Sequence, residues 1–114
     1  MRLINQTKNT VLAEDIFIAN TPLIRIKGLL GRKVFSANQA IILDPCNSAH
    51  TFFMRFPIDI LFVDKNYKVI KALPGLVPNR ITPIYWHSCR VIELSAGRLN
   101  LTNTQAKDQL QLLD

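Results

Sequence analysis

One stretch of the chain, residues 46–64, holds most of the groups that could do chemistry. It contains the thiol of Cys46, the imidazole of His50, the guanidinium of Arg55 and the carboxylates of Asp59 and Asp64, in an otherwise strongly apolar run. Burying such groups without partners is costly. The stretch therefore predicts either a polar functional site or a set of polar contacts that hold the fold together.

The first candidate is a ligand site near one end of a sheet, formed by His50, Arg55, Asp59 and Glu93. Asp59 lies in an apolar strand, so its carboxylate is expected to be partly buried and to need donors. A straight strand separates Arg55 from Asp59 by about 13 Å, so only a bend joins them. Glu93 either faces water or pairs with a basic group near Arg55. The structural alternative is that Asp59 pins a loop while Arg55 is solvated.

Nucleophilic catalysis by Cys46 is a second hypothesis. The thiolate would need His50 as its base and Asp59 or Asp44 as the orienting acid. No local signature of a nucleophile surrounds Cys46. The alternative is a buried thiol on a loop and a histidine bonded to backbone groups, so the sequence assigns no catalytic residue.

A metal site is the third hypothesis. Cys46, His50, His87 and Cys89 are the only cysteines and histidines of the chain, and zinc binds thiolate and imidazole ligands tetrahedrally. His87 and Cys89 would share a strand face, whereas the usual spacing of a zinc knuckle is absent. With only four such residues, chance pairing is the alternative, and the sequence predicts no cofactor.

Aromatic residues could line a ligand pocket, but most of them fit the core of a small β domain better. Trp86, beside His87 on a proline-rich loop, is the aromatic residue placed best to reach solvent, and the favoured alternative is that it forms a lid on the core. The aromatic set consists of Phe52, Phe53, Phe56, Phe62, Tyr85 and Trp86.

Length and composition indicate one cytosolic domain, residues 1–114. The chain is 48% hydrophobic, without an apolar segment long enough for a membrane span, and polar residues follow its start too soon for a signal peptide. Cys46 and Cys89 are expected to be free thiols. The net charge is +6, but the scattered cations fit ordinary solvated faces better than a nucleic-acid interface. We expect a small anionic ligand or a protein as partner, and no membrane.

Short extended segments dominate the predicted secondary structure. One helix is predicted over residues 21–31, with Pro22 at its first position. Ile58–Val63 and Lys68–Leu73 form the clearest hairpin, across a polar turn. A helical turn is predicted near Ala106. The other predictions are strands at 10–18 (single or a bent pair), 40–43, 51–56, 89–94 and 110–113, and a loop from 74 to 86.

This order of elements predicts an α+β fold that is mostly β. The architecture expected is a compact single-domain sheet or half-closed barrel with one short N-terminal helix. No internal repeat, low-complexity segment or linker divides the chain.

Three sequence blocks stand in order along most of the chain. Residues 25–32 read Arg-Ile-Lys-Gly-Leu-Leu-Gly-Arg, residues 53–64 run from Phe-Met-Arg-Phe-Pro through Ile-Asp-Ile to a final Asp, and residues 91–97 read Val-Ile-Glu-Leu-Ser-Ala-Gly. These blocks resemble the family known as domain of unknown function 192, and the preceding His50-Thr51 looks like one subgroup of it. The resemblance implies a compact, mostly-β domain with a short helix and an unassigned molecular role.

The chain departs from that family pattern at the hairpin turn. The family often has glycine just after the turn, where this chain has Tyr67. The residue with positive φ is therefore expected at Asn66, unless the type of turn changes. The predicted register of the hairpin depends on which of the two occurs.

The function expected from these residues is binding or scaffolding through the polar cluster. The alternatives are a metalloprotein or Cys/His-dependent enzyme that uses Cys46, His50, His87 and Cys89, and a non-specific nucleic-acid binder. Convergence of these four residues near Asp59 in an open cleft would favour the enzyme or the metal site. Their dispersal would favour the binding domain.

Overall fold

Two sheets carry the fold in the computed structural model, which describes residues 1–20, 36–52 and 54–114. The elements are β1 Arg2–Asn5, β2 Thr10–Ala13, β3 Asp15–Ala19, β4 Gln39–Leu43, β5 Ile58–Val63, β6 Val69–Leu76, β7 Arg90–Ser95, α1 Arg98–Thr102 and β8 Leu110–Leu113. The smaller sheet has the order β2-β1-β8, and the larger has the order β3-β4-β7-β5-β6. Among the described pairs only β3 and β4 run parallel.

The larger sheet is covered on both faces, since every residue of β5 is buried. Its inner face, which includes Ile42, Leu61 and Ile92, packs against the smaller sheet. Its outer face, which includes Ile41 and Ile60, packs against loop residues. A strand covered on both sides reads as an almost continuous apolar run, which explains the sequence of β5.

Most of the predicted strands are confirmed. The segment 10–18 is a bent pair, β2 and β3, and β4, β5, β7 and β8 lie where they were expected. The hairpin pairing of β5 with β6 is also confirmed. The predicted helix at 21–31 lies outside the described residues. The described strands form two open sheets and do not close a barrel.

Three local predictions are wrong. The described residues of segment 51–56 lie in turns and bends, because Thr51 is bonded to another loop and not to a strand. Pro74 and Gly75 belong to β6, where Gly75 adopts a φ of 64°. The short helix near the C-terminus is α1, whereas Ala106 lies in a turn.

The hairpin turn uses Tyr67, and not Asn66, as its residue with positive φ, at 65°. The carboxylate of Asp64 accepts the backbone N–H groups of Asn66 and Lys68, at 2.8 and 2.9 Å. The guanidinium of Arg90 lies 4.5 Å from the centre of the Tyr67 ring. These contacts offset the cost of a left-handed conformation in a bulky residue.

The radius of gyration, 12.5 Å, is that of a single compact domain of this length. No helix in the described part of the chain is long and apolar enough to cross a membrane.

Candidate functional site

The predicted ligand cluster is divided between the two faces of the larger sheet. Asp59 on β5 lies opposite Leu94 on β7, and Glu93 lies opposite Ile60. Leu94 belongs to the inner face and Ile60 to the outer face. Because directly paired residues point to the same face and successive residues to opposite faces, the two carboxylates lie on opposite sides of the sheet.

Asp59 ties three elements together on the inner side. It is fully buried, and its Oδ1 accepts the backbone N–H of Gly75 at 2.8 Å. Its Oδ2 accepts the N–H of Leu99, in the first turn of α1, at 2.9 Å. The carboxylate therefore caps the short helix and fixes the kink in β6, which matches the structural alternative for Asp59.

Glu93 lies at the centre of the outer face. It occupies the middle of a row across all five strands, with Ile41 and Ile60 as its immediate neighbours and Phe17 and Leu73 at the ends. The residue is only 8% exposed, and within the described residues its carboxyl group has no hydrogen bond or ion pair. Burial raises the pKa of Glu93 to about 7.

His50 and Arg55 lie among the loops next to the outer face, and both are exposed. The ring of His50 stacks on Phe52 with a centroid distance of 5.3 Å. The backbone of His50 pairs with Ile81 in an isolated antiparallel bridge. These two predicted ligand residues therefore belong to a loop region, away from Asp59.

Among the described residues, the four cysteine and histidine residues are not gathered into one group of ligands. The thiol of Cys46 donates to the carbonyl of Ser48 at 3.0 Å, while Cys89 and His87 are exposed. The backbones of Cys46 and Cys89 are neighbours, since the N–H of Cys46 donates to the carbonyl of Cys89 at 3.0 Å. The described residues contain no group of three or more His, Cys, Asp or Glu that could hold a metal ion.

Two loops lie beside the outer face and run next to each other: residues 44–52 with 54–57, and residues 77–89. They expose several large apolar side chains. Ile81 is 71% exposed and Trp86 is 78% exposed. Isolated exposed apolar residues are ordinary, but a group of them on joined loops indicates an interaction site. We call this group the loop surface; it consists of His50, Phe52, Arg55, Val77, Arg80, Ile81, Ile84, Trp86 and His87.

Two buried threonines join these loops. Thr51 donates its N–H to the carbonyl of Arg80 at 2.8 Å, and its hydroxyl accepts the N–H of Arg80 at 2.9 Å while donating to the carbonyl of Val77. Thr82 donates its N–H to the carbonyl of Ala49, and its hydroxyl accepts the N–H of Ala49, each at 2.9 Å. The threonines satisfy backbone groups that would otherwise bond water, so the loops hold a defined shape.

Aromatic and sulfur side chains fix the joined loops to the sheet. Tyr85 packs on Phe62 of β5 with a centroid distance of 4.4 Å. Met54 and Phe56 also pack against the outer face. The loop surface is thus held on a rigid support, as binding residues commonly are.

Apart from Asp44, the charged side chains of these two loops are all positive. Segments 45–58 and 65–92 contain no Asp or Glu. The one acid in the loops, Asp44, pairs with Arg90 at 3.0 Å, which leaves the exposed Arg55 and Arg80 to set the local charge. The surface therefore combines apolar side chains with positive charge.

A second polar region lies on the smaller sheet. We call it the polar network: Asn5, Lys8, Thr102, Thr104 and Asp108. Asn5 donates to Thr104 and Asp108 at 3.1 and 2.9 Å, and Lys8 forms an ion pair with Asp108 at 3.1 Å. Burial alone would raise the pKa of Asp108, but the hydrogen bonds from Asn5 and the N–H of Gln105, with the charge of Lys8, lower it below its ordinary value.

An open cavity of about 540 Å³ lies beside the polar network, and its lining includes Lys8 and Thr104. The ammonium group of Lys8 and the hydroxyl of Thr104 already have protein partners. The network therefore acts as a structural support, and the loop surface is the stronger candidate for a functional site.

A comparison with known families gives a match over nearly the whole chain. The model of the DUF192 family, described as "Uncharacterized ACR, COG1430", matches residues 3–112. The chain belongs to the DUF192 family. No curated protein matches it.

Two solved structures share the DUF192 fold seen here. One is a protein of unknown function from Novosphingobium aromaticivorans DSM 12444, with a TM-score of 0.85 and 19% identity, over 98% of this chain and 84% of that one. The other, from Sinorhizobium meliloti 1021, is provisionally described as a transcription regulator; its TM-score is 0.81 at 20% identity, over 96% and 89% of the two chains. At these identities the likeness shows the fold alone.

Sequence reasoning missed the residues that join the two loops of this DUF192 chain. Thr51 and Thr82 look like ordinary polar residues, and their clamping role depends on contacts between distant segments. The absence of acids from 45–58 and 65–92 was a usable signal, because it marks the two loops before their contact is known. Trp86 is exposed and does not form the lid on the core that the sequence interpretation favoured.

Proposed function

We propose that this protein is a small binding domain that uses the loop surface to hold an anionic partner. The observation that carries the proposal is the exposure of Ile81 and Trp86 on the same joined loops as the exposed cations Arg55 and Arg80, with no unpaired acid. Exposed apolar side chains rimmed by charge are typical of interaction sites, and Trp and Arg are enriched where binding energy concentrates.

The enzyme and metalloprotein alternatives draw less support from the arrangement of the chain. Asp59 is engaged with Gly75 and Leu99, so it is not available to orient His50. In the described residues, Cys46, His50, His87 and Cys89 form no group of three that could hold an ion. The loop surface needs neither a reacting group nor a metal to bind a partner.

A nucleic-acid partner is the second candidate. The stacked rings of His50 and Phe52, with exposed Trp86, offer faces on which bases can stack, and Arg80 offers charge for phosphates. The relative provisionally described as a transcription regulator points in the same direction. The cytosolic location that the sequence predicts fits either partner.

Trp86 makes the proposal directly testable, because it is the only tryptophan of the chain. The full chain would be titrated with poly-L-glutamate, with oligothymidylate and with phosphatidylglycerol vesicles while Trp86 emission is recorded. We expect at least one probe to change the emission, and Ile81→Ser to weaken that binding by about tenfold.

The matched control for this test is Leu101→Ser. Leu101 is 75% exposed on α1, so the substitution removes an equally exposed apolar side chain from another part of the molecule. The control should bind like the unmodified protein. Failure of all three probes to change Trp86 emission, or equal weakening by the control, would overturn the proposed function.

A further inference from the structure

We infer that the anionic partner is the surface of a lipid bilayer that carries anionic headgroups, an inference that rests on the proposed function. Val77, Ile81 and Ile84 are exposed branched aliphatic residues of the loop surface. Such side chains neither stack on bases nor hold a solvated anion, but they gain free energy on leaving water for an acyl environment. The lack of a membrane-spanning helix among the described residues concerns crossing a bilayer and does not bear on surface attachment.

The degree of exposure favours a bilayer over a protein partner. Ile81 and Trp86 keep most of their surface in water, at 71% and 78%, so a partner must surround them to bury them. A protein would need matching pockets for both side chains, whereas a bilayer adapts to whatever is inserted. Tryptophan is also enriched at the boundary between headgroups and acyl chains.

The charge around the loop surface fits an anionic leaflet. In the described part of the chain the exposed Arg55 and Arg80 form no ion pair, and the segments that carry them contain no acid. Each cation near an anionic surface strengthens binding by about fivefold. Exposed cations and exposed apolar side chains on the same joined loops are the combination that interfacial attachment uses.

The loops need no ordering step before they bind. Thr51 and Thr82 join them by hydrogen bonds, and Tyr85 fixes them to Phe62. Pro78 and Pro83 further restrict the backbone of the second loop. The apolar side chains are thus presented on a preorganised support, which lowers the entropic cost of attachment.

The test compares vesicles of phosphatidylcholine alone with vesicles that also contain phosphatidylglycerol. We expect the full chain to sediment with the anionic vesicles and Trp86 emission to shift to shorter wavelength, because the indole leaves water. Phosphatidylcholine alone should bind at least tenfold more weakly, since two or more cations lose their partners. Added salt should weaken binding to the anionic vesicles.

Variants separate the apolar and the charged contributions. Ile81→Ser should weaken sedimentation by about tenfold, and Arg80→Gln by about fivefold. Leu101→Ser is the control and should sediment like the unmodified protein. Far-UV circular dichroism of each variant shows that it is folded.

Three outcomes would overturn the inference. Binding of oligothymidylate or poly-L-glutamate without vesicle binding would leave the proposed function intact and exclude the bilayer. Failure of all probes would overturn both. A dimer in ultracentrifugation whose Trp86 emission is already at short wavelength without lipid would identify a second copy of the chain as the occupant.

Discussion

Hydrogen bonds from buried polar side chains hold together both the polar network and the loops that carry the loop surface. The two regions differ in what their remaining side chains face. In the polar network, Asn5 and Asp108 turn inward, and each polar group meets another one. In the two loops that carry the loop surface, Thr51 and Thr82 are buried and join the loops, while Ile81 and Trp86 are exposed to water.

The difference distinguishes a region that stabilises the fold from a region that is able to bind a partner. A network whose donors and acceptors are all used has nothing left to offer a partner, so it contributes stability and specificity of folding. Apolar side chains that stay in water on a rigid pair of loops do not stabilise the isolated fold. The predictions below test this division, in order of expected effect.

The largest effect should follow Asp108→Ala. The substitution leaves the amide of Asn5, the N–H of Gln105 and the ammonium group of Lys8 without their acceptor. We expect the free energy of unfolding in urea to fall by about 3 kcal/mol. Trp86→Ser, in the loop surface, should change it by less than about 0.5 kcal/mol. Equal losses in the two variants would contradict the division.

Glu93→Gln should have the next largest effect, and its sign should depend on pH. The folded pKa of about 7 lies above the unfolded value of 4.5, so the cost of ionising Glu93 appears as pH rises between these values. We expect the variant to be more stable than the unmodified protein by about 2 kcal/mol at pH 8 and by little at pH 4.5.

The measurement for Glu93 is the difference in melting temperature between the two proteins across this pH range. Glu93→Asp is the control, since it keeps an ionisable carboxyl group and should keep the pH dependence. A constant difference at all pH values would show that Glu93 is already paired in the folded protein.

Thr51→Val should loosen the loop surface with a smaller loss of global stability, about 1 to 2 kcal/mol. The N–H of Arg80 loses its acceptor, and the carbonyl of Val77 loses its donor. Hydrogen exchange of the Arg80 amide should accelerate, while amides of β5 keep their protection. Thr51→Ser keeps the hydroxyl and should behave like the unmodified protein. Unchanged exchange at Arg80 in the valine variant would contradict the clamping role.

The smallest effect is expected for Lys8→Gln, about 0.5 to 1 kcal/mol, because the side chain of Lys8 is partly exposed. The lowered pKa of Asp108 contributes stability that is present above its unfolded pKa and is lost as pH falls through the folded one. Without Lys8 the folded pKa rises, so acid unfolding should begin at higher pH. An unchanged acid transition, followed by circular dichroism, would show that Asn5 and Gln105 suffice.

Local signals predicted β5 correctly but misled at residues 51–56. The apolar segment from Thr51 to Phe56 has the composition of a strand, and Met54 and Phe56 do pack against the outer face. They do so from a turn, since Thr51 bonds to the second loop. Composition indicates that a residue is buried, but it does not show whether that residue lies in a paired β-strand or in a loop packed on the sheet.

The sequence by itself determined the strands from β4 to β8, the hairpin, and the acid-free segments, because alternation, turn chemistry and charge are local properties. Only the tertiary structure decided that Asp59 and Glu93 lie on opposite faces, since this follows from the pairing of β5 with β7. It also decided that Thr51 clamps Arg80, 29 residues away. Hydrogen bonds between distant segments form only once the sheet beneath them is assembled, and no short window of sequence contains both partners.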